Sequence, residues 1–220
     1  ERVAASEENI RTSVIGQMRG FWKLNNYQSA IAYSNKTLLL SNLDEPLEIE
    51  ASLIHGLSLK ETDRLDEAYI ILIALSENTK SIKGAEAKYN AAEILFEQEK
   101  NDECEITIME LVKQKPSYDY WIASAIILLG DNFIVKEDYF NAKSSLQSVI
   151  DNYEGKDQAE IVALAQSKID YILDLESQSE KSIEKDDVEI DFEGVDEKDK
   201  KLFEDELEEE KQKQNKEPNN

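Results

Sequence analysis

Small side chains recur along this sequence at a nearly constant spacing, and this spacing constrains the fold more than any other feature. Four of them, separated by 36 or 38 residues, are Ala30, Ala68, Cys104 and Ala142. Twelve residues before each stand Met18, Gly56, Ala92 and Gly130, of which three are again small. Helices approach closely only where both carry small side chains. The spacing therefore predicts four pairs of antiparallel helices.

Large apolar residues occupy fixed places around these small ones. Three residues after the set that begins with Met18 lie Phe21, Leu59, Leu95 and Phe133. Seven residues after the set that begins with Ala30 lie Thr37, Leu75, Leu111 and Val149. Helical periodicity runs from about residue 7 to residue 178 and is broken only by short turns. A pair built in this way exposes an apolar face that the next pair must cover. We therefore expect an all-α fold in which the pairs stack in series.

The domain organisation follows from these breaks. We predict a helical repeat domain over residues 1–178, with pairs at about 8–43, 46–80, 82–116 and 118–154. Residues 157–178 form one amphipathic helix that is suited to cap the last exposed face. Residues 179–220 are acidic and poor in apolar groups, so they are expected to be largely disordered.

The fourth predicted pair resembles the tetratricopeptide repeat family. The resemblance rests on Leu129-Gly130-Asp131, on the run 138–142, and on Leu146 and Val149. It implies a right-handed α-solenoid of about four helix pairs plus the C-terminal capping helix. The run from Tyr120 to Gly155 is also similar to the closing repeats of cell-envelope proteins of this family from Bacteroidetes-type bacteria. That similarity implies the periplasm or cell envelope, while the cytoplasm stays open because a signal, a lipid anchor or further repeats could precede Glu1.

In this family the first helix of each pair lines a concave groove that binds a segment of a partner protein. Carried over by the resemblance, the groove residues are Arg19, Trp22, Leu53, Leu57, Lys60, Tyr89, Glu93, Phe96, Ile127, Asp131 and Ile134. Aromatic anchors beside charged side chains are typical of interface hot spots. The alternative is that several of these side chains only pack between neighbouring first helices.

The charge and hydropathy of the chain argue against nucleic-acid binding and against a membrane-spanning helix. The formal net charge of −23 repels phosphate backbones, so we predict no nucleic-acid binding. No apolar run approaches the ~18 residues that a spanning helix needs. The expected partners are proteins of neutral or basic surface.

The sequence offers little material for catalysis. Its single histidine, His55, and its single cysteine, Cys104, both fall on predicted packing faces, where we expect structural roles. Phosphate-binding glycine loops and an EF-hand pattern are also missing. We therefore expect no enzyme activity, no cofactor and no metal site. The predicted function is a non-catalytic protein-interaction scaffold in a cell-envelope complex, and the alternative is an architectural spacer or terminal cap of a longer solenoid.

Overall fold

The computed structural model describes residues 2–155 and 157–185, with side chains placed in 6–155 and 157–179. Within these ranges the chain forms nine helices and no strand, which confirms the all-α class. The helices are α1 (Arg2–Lys23), α2 (Tyr27–Leu38), α3 (Glu45–Lys60), α4 (Leu65–Asn78), α5 (Ile82–Glu97), α6 (Asn101–Lys113), α7 (Asp119–Val135), α8 (Tyr139–Asn152) and α9 (Gln158–Lys185). None of the nine is both long and apolar enough to span a membrane.

The chain divides into two units, Glu1–Leu175 and Glu176–Asn220. In the first unit, adjacent helices pack in pairs, α1 with α2, α3 with α4, α5 with α6 and α7 with α8. Helix α1 begins at Arg2, before the predicted residue 8, and α3 begins at Glu45, one residue before the predicted 46.

The predicted end of the last helix was wrong. Helix α9 continues through Lys185, into the segment that was expected to be disordered. Residues 179–185 are rich in Glu and Lys, which are good helix formers, and extending an existing helix avoids the cost of a new nucleus. The rest of the predicted tail, residues 186–220, lies outside the described residues.

The turns that join the two helices of each pair have the same geometry in all four pairs. In each turn one non-glycine residue adopts a left-handed backbone with φ between 55° and 58°, namely Asn25, Asp63, Glu99 and Glu137. The following amide donates back to a carbonyl five residues earlier, as Asn26 does to Phe21 (2.9 Å) and Asp138 does to Phe133 (2.9 Å). This is the Schellman closure of a helix, which satisfies carbonyls that the helix itself leaves unpaired. Identical turns give the four pairs a common local geometry.

Glycine and leucine meet where the helices of the second and fourth pairs cross. A Cβ added to Gly56 would lie 2.7 Å from Cγ of Leu72, and one added to Gly130 would lie 2.9 Å from Cγ of Leu146. At the corresponding places in the third pair stand Ala92 and Ile108. The four small residues of the second helices, Ala30, Ala68, Cys104 and Ala142, are all fully buried.

Successive pairs share their apolar cores. One cluster joins Met18 and Ala30 of the first pair to Ala51 and Ile54 of α3. Similar clusters join α2, α3, α4 and α5, then α5, α6 and α7, then α7, α8 and α9. The core therefore runs continuously along the first unit, as expected for stacked helical repeats.

His55 connects the first pair to the second. Its ring lies buried in α3, and Nδ1 hydrogen-bonds with Oγ of Ser34 in α2 at 2.8 Å. The Ser34 hydroxyl also donates to the carbonyl of Ile31 at 3.0 Å. Burial lowers the pKa of the imidazole below its ordinary value. A neutral ring held in this way suits a packing role.

Candidate functional site

The predicted groove residues lie on the first helices of the four pairs, α1, α3, α5 and α7. These helices succeed one another in space, because α1 packs against α3, α3 against α5, and α5 against α7. We call the surface along them the first-helix face. Four side-chain contacts between neighbouring helices define it: Arg19–Glu50, Lys60–Glu93, Tyr89–Trp121 and Asp131–Lys168.

Arg19 binds Glu50 in a two-pronged ion pair between α1 and α3. Its Nε lies 2.8 Å from Oε1 and its Nη2 lies 2.6 Å from Oε2. Hydrogen bonds from the guanidinium hold the pKa of the Glu50 carboxyl below its usual range. The planar guanidinium matches the carboxylate, so the two hydrogen bonds give this contact between α1 and α3 a defined geometry.

Lys60 of α3 forms an ion pair with Glu93 of α5 and also donates to Oδ1 of Asn90 at 3.2 Å. The Tyr89 hydroxyl donates to Oε1 of the same glutamate at 3.2 Å. Burial raises the pKa of the Tyr89 phenol, and the nearby Glu93 carboxylate adds to the effect. The phenol therefore stays protonated and acts as a donor.

Three aromatic rings meet where α5 packs against α7. The Tyr89 and Trp121 rings lie 5.4 Å apart, and the Tyr120 ring meets Trp121 edge-on at 4.9 Å. We call Tyr89, Tyr120 and Trp121 the aromatic cluster. Tyr120 is 42% exposed, so solvent reaches one side of the cluster.

Sequence reasoning missed Tyr120 and Trp121 as site residues. In the fourth pair the groove residues carried over from the family pattern begin at Ile127, and these two residues precede it. The adjacent aromatics at the start of a predicted helix were the available signal. Only the packing of α7 on α5 places them beside Tyr89.

Asp131 of α7 binds Lys168 of α9, with Oδ1 and Nζ 2.6 Å apart. This contact extends the first-helix face to the last helix of the first unit. Each interval along the face thus carries either an ion pair or a ring contact.

The structure places two of the predicted groove residues in the core, which corrects their assignment to an exposed groove. Leu53 is 6% exposed and Ile127 is 4% exposed, and both belong to core clusters. A side chain enclosed by its own protein is not available to a partner, because neighbouring helices already cover it. Four others are half-buried and pack against the core with one edge: Trp22, Leu57, Phe96 and Ile134.

The described part of the chain offers few side chains that could bind a metal ion or act as a nucleophile. No group of three or more His, Cys, Asp or Glu side chains converges there in a way that could hold a metal ion. Burial raises the pKa of the Cys104 thiol to about 12, so this side chain remains a protonated, packed thiol.

Comparisons with known proteins show a similarity in fold and do not identify an activity. No protein-family model and no curated protein matches the chain. Among solved structures, BtubC (BKLC) from P. vanneervenii superimposes with a TM-score of 0.56 at 16% sequence identity, covering 81% of this chain and 86% of that one. At this identity the chain is similar to that protein in its helical fold alone.

Proposed function

We propose that this chain is a non-catalytic protein-interaction scaffold that binds a segment of a partner protein along the first-helix face. Its architecture would be a right-handed α-solenoid of the tetratricopeptide type, closed at one end by α9. Support comes from the four equivalent turns, the paired helices and the core that runs through successive pairs. By the same resemblance we propose a cell-envelope complex, which fractionation of native cells would test.

The aromatic cluster is the observation that carries this proposal. Tyrosine and tryptophan supply large contact areas with little loss of side-chain entropy, and they are enriched at interface hot spots. The flanking Lys60–Glu93 and Asp131–Lys168 pairs hold α3, α5, α7 and α9 in place. A partner would therefore meet a surface that is already ordered, which reduces the entropic cost of binding.

Site-specific photo-crosslinking tests the proposal for a partner of any identity. A photoreactive phenylalanine analogue replaces Tyr120 in one protein and Phe140 in another. Phe140 lies on α8 and is 79% exposed, so it is a matched aromatic control on a second helix. We expect a discrete crosslinked protein from position 120 and none from position 140.

Substitution then measures the contribution of the cluster. Tyr120→Ala is expected to weaken the crosslinked partner about tenfold or more, as hot-spot residues do, because it removes the most exposed ring. Phe140→Ala should leave the affinity unchanged. Equal loss in both variants, or none in either, would reject the aromatic cluster as the binding surface.

An architectural spacer or terminal cap is the second candidate, and the internal contacts favour it. The four charged side chains among the predicted groove residues form ion pairs within the chain, and Leu53 and Ile127 are enclosed in the core. A surface whose polar groups are already paired offers fewer contacts to a ligand. Absence of any specific crosslink from position 120 in native extracts would support this candidate.

A further inference from the structure

The first, second and fourth helix pairs each have a cleft near the beginning of the first helix and the end of the second helix. In the second pair the cleft has a volume of about 290 Å³ and in the fourth about 130 Å³. All eight residues that line the fourth cleft have a counterpart 74 residues earlier in the second cleft. The clefts are thus the same structural place in different pairs, and their contents can be compared residue by residue.

In the third pair this place is filled by a lysine of the chain itself. Lys88 stands 36 residues after Ser52 of the second cleft, which is the same interval that separates Ala68 from Cys104. The Lys88 side chain is only 8% exposed, and its Nζ lies 2.8 Å from Oε2 of Glu110 on α6. The apolar stem is therefore buried between the helices while the ammonium pairs with a carboxylate at the rim.

The second cleft lacks this lysine and carries acidic groups instead. Ser52 and Ala74 replace Lys88 and Glu110, which leaves the cleft open. Glu45 and Glu48 stand exposed at its rim, and neither forms an ion pair with any of the described side chains.

The floor of the second cleft is apolar. It is formed by Ile49 of α3 with Ile71 and Leu75 of α4. An apolar floor below two unpaired carboxylates complements a side chain that has a hydrocarbon stem and a positive tip.

The other two clefts are less suited to such a ligand. The first cleft holds a cation of its own, Arg11, which donates to the carbonyls of Ser41 (2.9 Å) and Asn42 (3.3 Å). The fourth cleft is the smallest of the three and has a single acidic residue, Asp119. The first cleft also has two acidic lining residues, Glu7 and Glu8, but among the three only the second has two acidic lining residues and no basic one.

We propose that the cleft of the second pair binds a lysine side chain of a partner protein, with the stem on Ile49 and Ile71 and the ammonium at Glu45 and Glu48. Lys88 in the third pair is the internal example of this fit. The net charge of −23 attracts basic segments toward the cleft. None of its lining residues takes part in the four contacts that define the first-helix face, so this site does not depend on the aromatic cluster.

The test uses the full chain and a defined probe, the peptide acetyl-Leu-Lys-Leu-Lys-Leu-amide. Methyl NMR follows Ile49 and Ile71 during titration, and a second peptide carries norleucine in place of both lysines. We expect saturable shifts at both isoleucines with the lysine peptide and none with the norleucine peptide. Equal shifts with the two peptides would overturn the proposal.

A plug variant tests the comparison with Lys88 directly. Ser52→Lys combined with Ala74→Glu places the Lys88–Glu110 pair in the second cleft and should abolish the shifts. The control combines Ser144→Lys with Ala32→Glu, two exposed second-helix positions outside the cleft, and should bind as the wild type does. Unchanged binding by a folded plug variant, as judged by circular dichroism, would also overturn the proposal.

If the plug variant fails to fold, removing the negative charges at the rim of the second cleft tests the proposal instead. Glu45→Gln with Glu48→Gln changes two exposed side chains and is expected to weaken the lysine peptide about tenfold, since each exposed charge contact contributes a few-fold. Undiminished binding would count against the site. Tyr120→Ala should bind the peptide normally, which separates failure of this proposal from failure of the scaffold proposal.

Discussion

The first and fourth helix pairs both place one large and one small side chain where their two helices cross, but on opposite helices. In the fourth pair the first helix contributes Gly130 and the second contributes Leu146. In the first pair the corresponding places hold Met18 and Ser34, and both are fully buried. The large and small members have exchanged helices, while the turn geometry is unchanged.

The exchange indicates that the crossing depends on the combined volume of the two side chains. A core at crystal-like density tolerates a swap that conserves volume and resists one that adds it. The exchange has a further consequence in the first pair, because the small Ser34 leaves room for a hydrogen bond to His55 from the second pair.

Breaking the volume balance in the fourth pair should have the largest effect. We expect Gly130→Met to lower the free energy of unfolding by about 3 kcal/mol, since even a Cβ there would lie 2.9 Å from Leu146. Adding Leu146→Ser copies the arrangement of the first pair and should recover most of the loss. Urea denaturation measures both, and a double variant as unstable as the single one would show that the two pairs are not interchangeable.

Removing the hydrogen bond of the first pair should have an intermediate effect. Ser34→Ala leaves Nδ1 of the buried His55 without this partner and is expected to cost roughly 1–3 kcal/mol. Ser58→Ala is the matched control, because Ser58 is equally buried but its Oγ has no partner among the described atoms. Comparable losses in the two variants would assign the cost to lost packing.

The contact between the first and second pairs should also make stability depend on pH. Burial lowers the pKa of His55 in the folded protein below the ordinary value of about 6.5, so the unfolded chain binds the proton more readily. The stabilisation by neutral His55 is full above that value and is lost as pH falls below it. Denaturation between pH 5 and 7.5 should show a slope that His55→Gln reduces, and an unaltered slope would contradict the assignment.

The smallest effect is expected on the first-helix face. Arg19→Gln removes the ion pair with Glu50, but the arginine is largely solvent-exposed and its attraction is screened. We expect a loss of about 0.5 kcal/mol that declines further in high salt. A loss several times larger would mean that this pair positions α1 against α3 as strongly as the core does.

Much of the fold could be predicted from local pattern. The intervals between Ala30, Ala68, Cys104 and Ala142 predicted the paired helices, because a small residue is required wherever two helices cross closely. The first pair matched that pattern least, since Met18 stands at a small-residue place. A sequence pattern considers each residue separately, whereas the packing constraint applies to the combined volume of the two side chains at a crossing.

The candidate site was predicted less completely. Assigning Leu53 and Ile127 to an exposed groove followed a family pattern, but the neighbouring helices enclose both side chains. The contacts Arg19–Glu50 and Tyr89–Trp121 join residues more than thirty positions apart. Such contacts depend on how one pair is rotated and shifted against the next, which no local pattern specifies.

By itself, the sequence determined that this chain is helical, where its helices turn, and which residues are small enough to lie at the crossings. These are properties of single residues and of short-range periodicity. The tertiary structure alone decided which charges are paired, that Trp121 contacts Tyr89, and that the second cleft stays open while Lys88 occupies its counterpart in the third pair. Such features depend on distances between helices, which exist only after the pairs have packed together.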